Sequence, residues 1–204
     1  MSVTTYLIVG LGNPEGKYFQ TYHNIGFLAA DSLAARLDLW FKKKGNQLIA
    51  DFRSPISGAR VFLLKPLTYM NQSGQAVVAA TRKHKIPTEN VLVFVDDLYI
   101  DRGNIRISTG GSGGGHNGLK SITELLQTNV YTKIRIGIRP DKAPKSGHRN
   151  FVLSKIEENS RPEIDAAIEK AVNCALSIVG GDTISKMQGL YNTSNAAPSP
   201  PLPK

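Results

Sequence analysis

Short, wholly apolar runs alternate along this chain with longer segments in which apolar residues recur every three or four positions. Tyr6 to Val9 and Val91 to Val95 are uninterrupted apolar runs, the pattern of strands buried on both faces. Leu48 to Arg53 and Arg60 to Lys65 are rich in strand-forming residues and are separated by Pro55, Ser57 and Gly58, which predicts a hairpin. Asn104 to Ser108 and Lys133 to Ile138 complete the predicted strands, the last with basic residues alternating against apolar ones and so presenting one charged face. Helical spacing runs over Asn24 to Leu37, with Phe27, Leu28, Leu33 and Leu37 on its apolar stripe. Ser73 to His84, Asn117 to Leu126 and Thr183 to Leu190 are predicted as further helices. Ser160-Arg161-Pro162-Glu163 has capping-box spacing and opens a helix striped by Ile164, Ile168, Ala171, Ala175 and Val179, which Gly180-Gly181 ends.

Strand and helix alternation of this kind predicts an α/β fold: a single three-layer domain over residues 1–191, with a sheet sandwiched by helices. Residues 192–204 hold Pro198, Pro200, Pro201 and Pro203 with little to bury, and are expected to form a disordered Pro-rich tail. In such sheets, sites gather at the carboxyl ends of the strands, so chemistry is sought in the loops after Val9, Lys65 and Val95.

The chain has 204 residues and a formal charge of +9, which makes a polyanionic partner the first expectation. Much of the excess lies between Lys133 and Arg149, where Arg135, Arg139, Lys142 and Lys145 face a single acid, Asp141; this segment suits a phosphate-backbone track. Lys42-Lys43-Lys44 and Arg82-Lys83-Lys85 read as ordinary solvated surface. The lone Cys174 sits on a helix's apolar stripe and builds neither an internal disulfide nor a thiolate zinc site, and the first residues do not resemble an export signal, so a cytoplasmic setting is expected.

Two glycine loops invite misreading. Gly10 and Gly12 follow a strand, but the next glycine, Gly16, falls one position late for a dinucleotide fingerprint and Pro14 sits inside the turn. Gly113 to Gly118 has P-loop spacing, but Leu119 stands where a P-loop needs lysine. No tight histidine pair marks a zinc hydrolase and no G-x-S-x-G marks a serine nucleophile, so water is the expected nucleophile and no metal is expected. What remains is His23 at a helix start, Asp96 at the end of a buried strand, and Asn13, Asn71 and Asn117 in loops beside glycine. Taken singly, each has a structural explanation as a helix-start histidine, a turn carboxylate or a left-handed turn residue. Taken together they suit general-base catalysis. The carboxylate fixes one imidazole nitrogen, the other takes a proton from water, and neutral amides hold a carbonyl.

Four separated motifs then resemble the bacterial-type peptidyl-tRNA hydrolase family: Leu7 to Pro14 with Tyr18 and His23-Asn24; Lys65 to Gly74; Val95-Asp96-Asp97-Leu98; and Gly115 to Ser121. The resemblance covers roughly residues 5 to 191. It implies a twisted mixed β-sheet between helices, and cofactor-independent hydrolysis of the ester between a peptide and the tRNA 3′ end. By the same resemblance His23 is the general base and Asp96 orients it, Asn13 and Asn71 line the site, and Asn71 positions water and the substrate carbonyl. His116 and Asn117 belong to the loop over the peptide and the terminal nucleotide, while Met70 and Tyr18 supply apolar walls, with Tyr18 equally suited to a structural anchor. Arg135 and Lys142 match positions that hold the tRNA 5′ phosphate. The implied partner is peptidyl-tRNA, bound by a monomer, with neither DNA nor membrane involved. Tyr22, Ser108 and Ser112 depart from residues common in the family, and these departures touch RNA contacts and gate motion, not the His23–Asp96 pair. Two rivals stand beside this reading: a non-catalytic RNA-binding relative on the same scaffold, and a nucleotide or small-peptide hydrolase on a similar globule.

Overall fold

The computed structural model describes residues 3–141 and 147–192. Seven strands form one mixed sheet: β1 (Thr5–Gly10), β2 (Lys42–Lys44), β3 (Gln47–Arg53), β4 (Arg60–Pro66), β5 (Val91–Asp97), β6 (Ile105–Thr109) and β7 (Thr132–Gly137), in the spatial order β2-β3-β4-β1-β5-β7-β6. The four central strands run parallel, with Leu7 to Val9 paired both to Phe62–Leu64 and to Val91–Val93. The outer strands are antiparallel; the expected hairpin is β3–β4, in register from Gln47↔Pro66 to Arg53↔Arg60.

The helices are α1 (Ile25–Arg36), α2 (Ser73–His84), α3 (Asn117–Leu126), α4 (Gly147–Val152), α5 (Arg161–Gly180) and α6 (Ile184–Tyr191). The period of two along the strands sorts their side chains into two cores. Ile8, Leu63, Leu92 and Phe94 face α1, α5 and α6, while Leu7, Val9, Leu64, Val93 and Val95 face α2 and α3. This explains why β1 and β5 read as unbroken apolar runs: neither face meets water. Among the described residues no helix is long and apolar enough to cross a membrane.

Several local expectations are corrected. The charged face predicted for β7 is not a surface: Lys133 is fully buried and Arg135 nearly so, because β6 covers one side of the strand and the Gly110 to Gly115 loop lies over the cations. The capping box at Ser160 does not form, since Ser160 is helical and Glu163 accepts from Arg102 Nε at 2.9 Å. A short turn of 3-10 helix, Tyr22–Asn24, precedes α1, which starts at Ile25 rather than Asn24. Both β2 and α4 escaped the periodicity reading. The expected tail lies outside the described residues from 193 onward, and Asn192 still bonds the Ile107 backbone through both side-chain atoms.

The site depends on one close approach. A Cβ on Gly26 would sit 2.4 Å from Leu11 N and 2.5 Å from Phe94 O, so only glycine lets α1 cross the end of β1 and set the Tyr22–Asn24 turn against β5. These neighbours are backbone and cannot swing aside. Gly26→Ala is therefore expected to cost about 1–3 kcal/mol of stability despite the better helix propensity of alanine. Gly16→Ala, with nothing within 4 Å, is expected to be near neutral. Urea denaturation of both variants checks this; equal stabilities would contradict the packing argument.

Candidate active site

A cleft of about 740 Å³ opens at the carboxyl edge of the parallel strands. It is lined by the loops after β1, β4 and β5, by the loop before α3, and by α4. Asp96, the penultimate residue of β5, is buried, and its Oδ1 lies 3.0 Å from His23 Nδ1 and 3.0 Å from His116 Nε2. The two imidazole centroids are 4.8 Å apart.

The hydrogen-bond partners fix the protons. His116 caps α3, and its Nδ1 accepts from Gly118 N at 3.1 Å and Leu119 N at 3.4 Å. A nitrogen that accepts carries no proton, so the His116 proton is on Nε2 and is donated to Asp96. His116 is then saturated on both sides. His23 donates from Nδ1 to the same carboxylate oxygen, which leaves its Nε2 bare at the cleft. Burial pulls the His23 pKa down, but the Asp96 charge and hydrogen bond outweigh it and hold the pKa above its ordinary value. Burial likewise opposes the Asp96 charge, yet the two imidazoles beside it hold its carboxyl well below the usual carboxylate range.

The donor atoms of His23, Asp96 and His116 also lie within 4.8 Å of one another, a spacing that would suit a cation. The proton inventory argues against that use. A cation would have to displace the imidazole proton aimed at Asp96 from each histidine, and His116 would then lack any proton unless it abandoned the α3 cap.

The remaining predicted residues fall into distinct environments. Asn13 is buried, and its Oδ1 accepts from Met70 N at 2.9 Å, so its Nδ2 is the end left for the cleft. Met70 is a buried wall, Tyr18 a half-buried one, and Asn71 and Asn117 are exposed at the rim. Arg135 reaches the cleft but is held there: it donates to Asp97 Oδ2 at 3.1 Å and to the Ser112 carbonyl at 2.9 Å. Lys142 lies outside the described residues.

Residue-by-residue reasoning missed four contributors. Asn24 staples the first loop, accepting from Asn13 N at 2.8 Å and donating to Asn13 O at 2.9 Å; its place beside His23 was the available signal. Asp97 both accepts from Tyr99 N and binds Arg135. Lys133 donates to the Gly110 and Asn129 carbonyls beneath the glycine loop; burial, then Arg135, lower its pKa to about 8. Finally, α4 closes one side of the cleft with His148, Arg149 and Val152. At the mouth, Glu15 accepts from Tyr69 and Lys17, tying the first loop to the Tyr69–Asn71 segment.

Fold and site together define an α/β enzyme with a carboxylate-bound imidazole open to a cleft. The profile of the peptidyl-tRNA hydrolase family matches residues 7–199. A peptidyl-tRNA hydrolase of Chlorobium phaeovibrioides is 42% identical over 188 residues, covering 91% of this chain and 97% of that one. One of Clostridium acetobutylicum is 39% identical over 188 residues, covering 91% and 98%. The crystal structure of peptidyl-tRNA hydrolase from Acinetobacter baumannii superposes with a TM-score of 0.84 at 33% identity, covering 97% of this chain and all of that one. The chain belongs to the peptidyl-tRNA hydrolase family.

The charge coupling makes a direct prediction. In an NMR titration, His23 is expected to lose its proton above pH 6.5, the ordinary imidazole value. In Asp96→Asn the carboxylate charge is gone, burial acts almost alone, and the midpoint should fall below 6.5. An unchanged midpoint would show that Asp96 does not set the protonation of His23.

Proposed function

We propose that this cleft hydrolyses the ester joining a peptide to the 3′ end of tRNA, freeing tRNA from peptidyl-tRNA that has left the ribosome prematurely. The observation that carries the reading is the 3.0 Å bond from His23 Nδ1 to Asp96, with Nε2 left open to the cleft. His23 Nε2 takes a proton from water, and the resulting hydroxide attacks the ester carbonyl. Asp96 stabilises the imidazolium that forms. Asn13 Nδ2, oriented because Met70 N occupies the other end of the amide, donates to the developing oxyanion. Asn71, exposed and adaptable, positions the water and the carbonyl. The imidazolium returns its proton to the departing 3′ ribose oxygen, so no cofactor enters the cycle.

The peptide and the terminal nucleotide share the cleft, with Met70 and Tyr18 as apolar walls and Asn117 at the rim. Arg135 offers a guanidinium to phosphate, already partly neutralised by Asp97, and Arg149 on α4 adds a cation at the mouth. His23, Asp96 and His116 all come from one chain, which supports action as a monomer. We place the activity in the cytoplasm, where a lone buried thiol such as Cys174 stays reduced.

Release of peptide from purified peptidyl-tRNA by His23→Ala should be about 10²–10⁴-fold slower than by the unaltered protein, while tRNA affinity stays nearly the same. An unaltered rate would remove His23 as the base. The wild-type kcat/KM should also fall on the acid side of His23's raised pKa. It should drop steeply with added salt, in proportion to the phosphates neutralised. A salt-independent rate would favour a small uncharged substrate instead. Aminoacyl-tRNA, with a free ammonium where the neutral amides expect a peptide group, should turn over far more slowly than peptidyl-tRNA; equal rates would contradict the roles given to the asparagines.

A further inference from the structure

The sheet edge at β2 carries a second cationic feature that the hydrolytic cleft does not use. Lys42, Lys43 and Lys44 are all exposed there. Two residues before the strand, Trp40, the chain's single tryptophan, is 82% exposed. Lys42 and Lys44 project to the same side of the strand, about 7 Å apart. Both line a shallow depression of about 160 Å³ with Trp40, Phe62, His84 and Asp51, whereas Lys43 does not. Phe62 holds its neighbours in place: His84 stacks on it at 3.8 Å between centroids and the Arg60 guanidinium lies 4.6 Å from it. Lys83, Arg60 and Lys44 thereby crowd His84, and after burial their charges push its pKa down. The carboxylate lining this depression is Asp51, and Arg60 binds it at 3.2 Å.

Lysines on an edge strand also deter unwanted strand pairing, which would account for Lys42 to Lys44. It does not account for Trp40, since an indole left in water at an edge works against that purpose. An exposed aromatic face beside a row of cations is what single-stranded nucleic acid binds, a base stacking on the ring and phosphates meeting the cations. Four strand spacings, about 19 Å, separate β2 from β5, which carries Asp96, so the base stacked here is not the group held at the hydrolytic centre.

We propose that the β2 edge is a second RNA-contact surface, on which a single-stranded segment stacks a base on Trp40 and lays its phosphates over Lys42, Lys44 and Arg60. An acidic protein segment would satisfy the lysines but leaves the indole without a role. The surface is independent of the chemistry assigned to the cleft.

Because Trp40 is the chain's single indole, its fluorescence reports this edge and not the cleft. Titration of the intact chain with an eight-nucleotide uridine RNA at low salt should quench that fluorescence saturably, and added salt should weaken the binding. Replacing both Lys42→Gln and Lys44→Gln should weaken it at least fivefold and flatten its salt dependence, with peptidyl-tRNA hydrolysis unchanged. Trp40→Ala, followed by anisotropy of the labelled RNA, should lose about tenfold in affinity. Three results would overturn the proposal: no quenching, quenching indifferent to the lysine pair, or equal quenching by polyglutamate of the same charge, which would assign the edge to an acidic protein instead.

Discussion

A buried carboxylate that accepts protons from two imidazoles at once is the constraint around which the rest is arranged. Asp96 lies at the end of a strand sealed on both faces, where an unpaired charge would be very costly. Two N–H groups, one from each imidazole, converge on its Oδ1. They are not equivalent. His116 is locked by the first turn of α3, whose backbone N–H groups occupy its other nitrogen. His23 is held by Asp96 alone, so its second nitrogen remains available. One carboxylate thus makes one histidine a fixture and the other a base, and the difference comes from the helix terminus rather than from the histidines.

The scaffold serves that arrangement through contacts that leave little room for adjustment. Gly26 lets α1 lie against β1 and the end of β5, which sets the depth of the His23 turn. Asn24 and Asn13 exchange bonds across the first loop, and Asn13 then reaches Met70 in the segment after β4. The segments after β1 and β4 are therefore joined by amide hydrogen bonds before any substrate arrives, which is the preorganisation that electrostatic stabilisation needs. On the other side Arg135 ties Asp97 to the glycine loop, while Lys133 holds that loop from beneath. Cations that look from the sequence like an RNA track are thus partly internal fasteners.

The strands and most helices were legible because burial on both faces writes itself as apolar runs and one-sided burial as helical spacing. The His23–Asp96 pairing was also legible, since a histidine at a helix start and an acid at a strand end are both carried to the same sheet edge by a parallel fold. Other features were not. His116 looked like a loop residue over substrate, because nothing local says that its ring bonds an acid twenty residues earlier. Lys133 reads as solvated in any window of sequence; only the fold puts β6 and a glycine loop over it. The Ser160 box failed because Glu163 had a stronger partner in Arg102, sixty-one residues away. Strand β2 is three lysines long and has no apolar period to detect. In each case a tertiary partner overrode a local preference.

The site turns on where two imidazole protons are, and neutron diffraction from a deuterated crystal locates them directly. The account predicts a deuteron on His23 Nδ1 and another on His116 Nε2, both aimed at Asp96 Oδ1, with Asp96 unprotonated and His23 Nε2 bare above its pKa. A deuteron on Asp96, or one on His116 Nδ1 in place of Nε2, would contradict it.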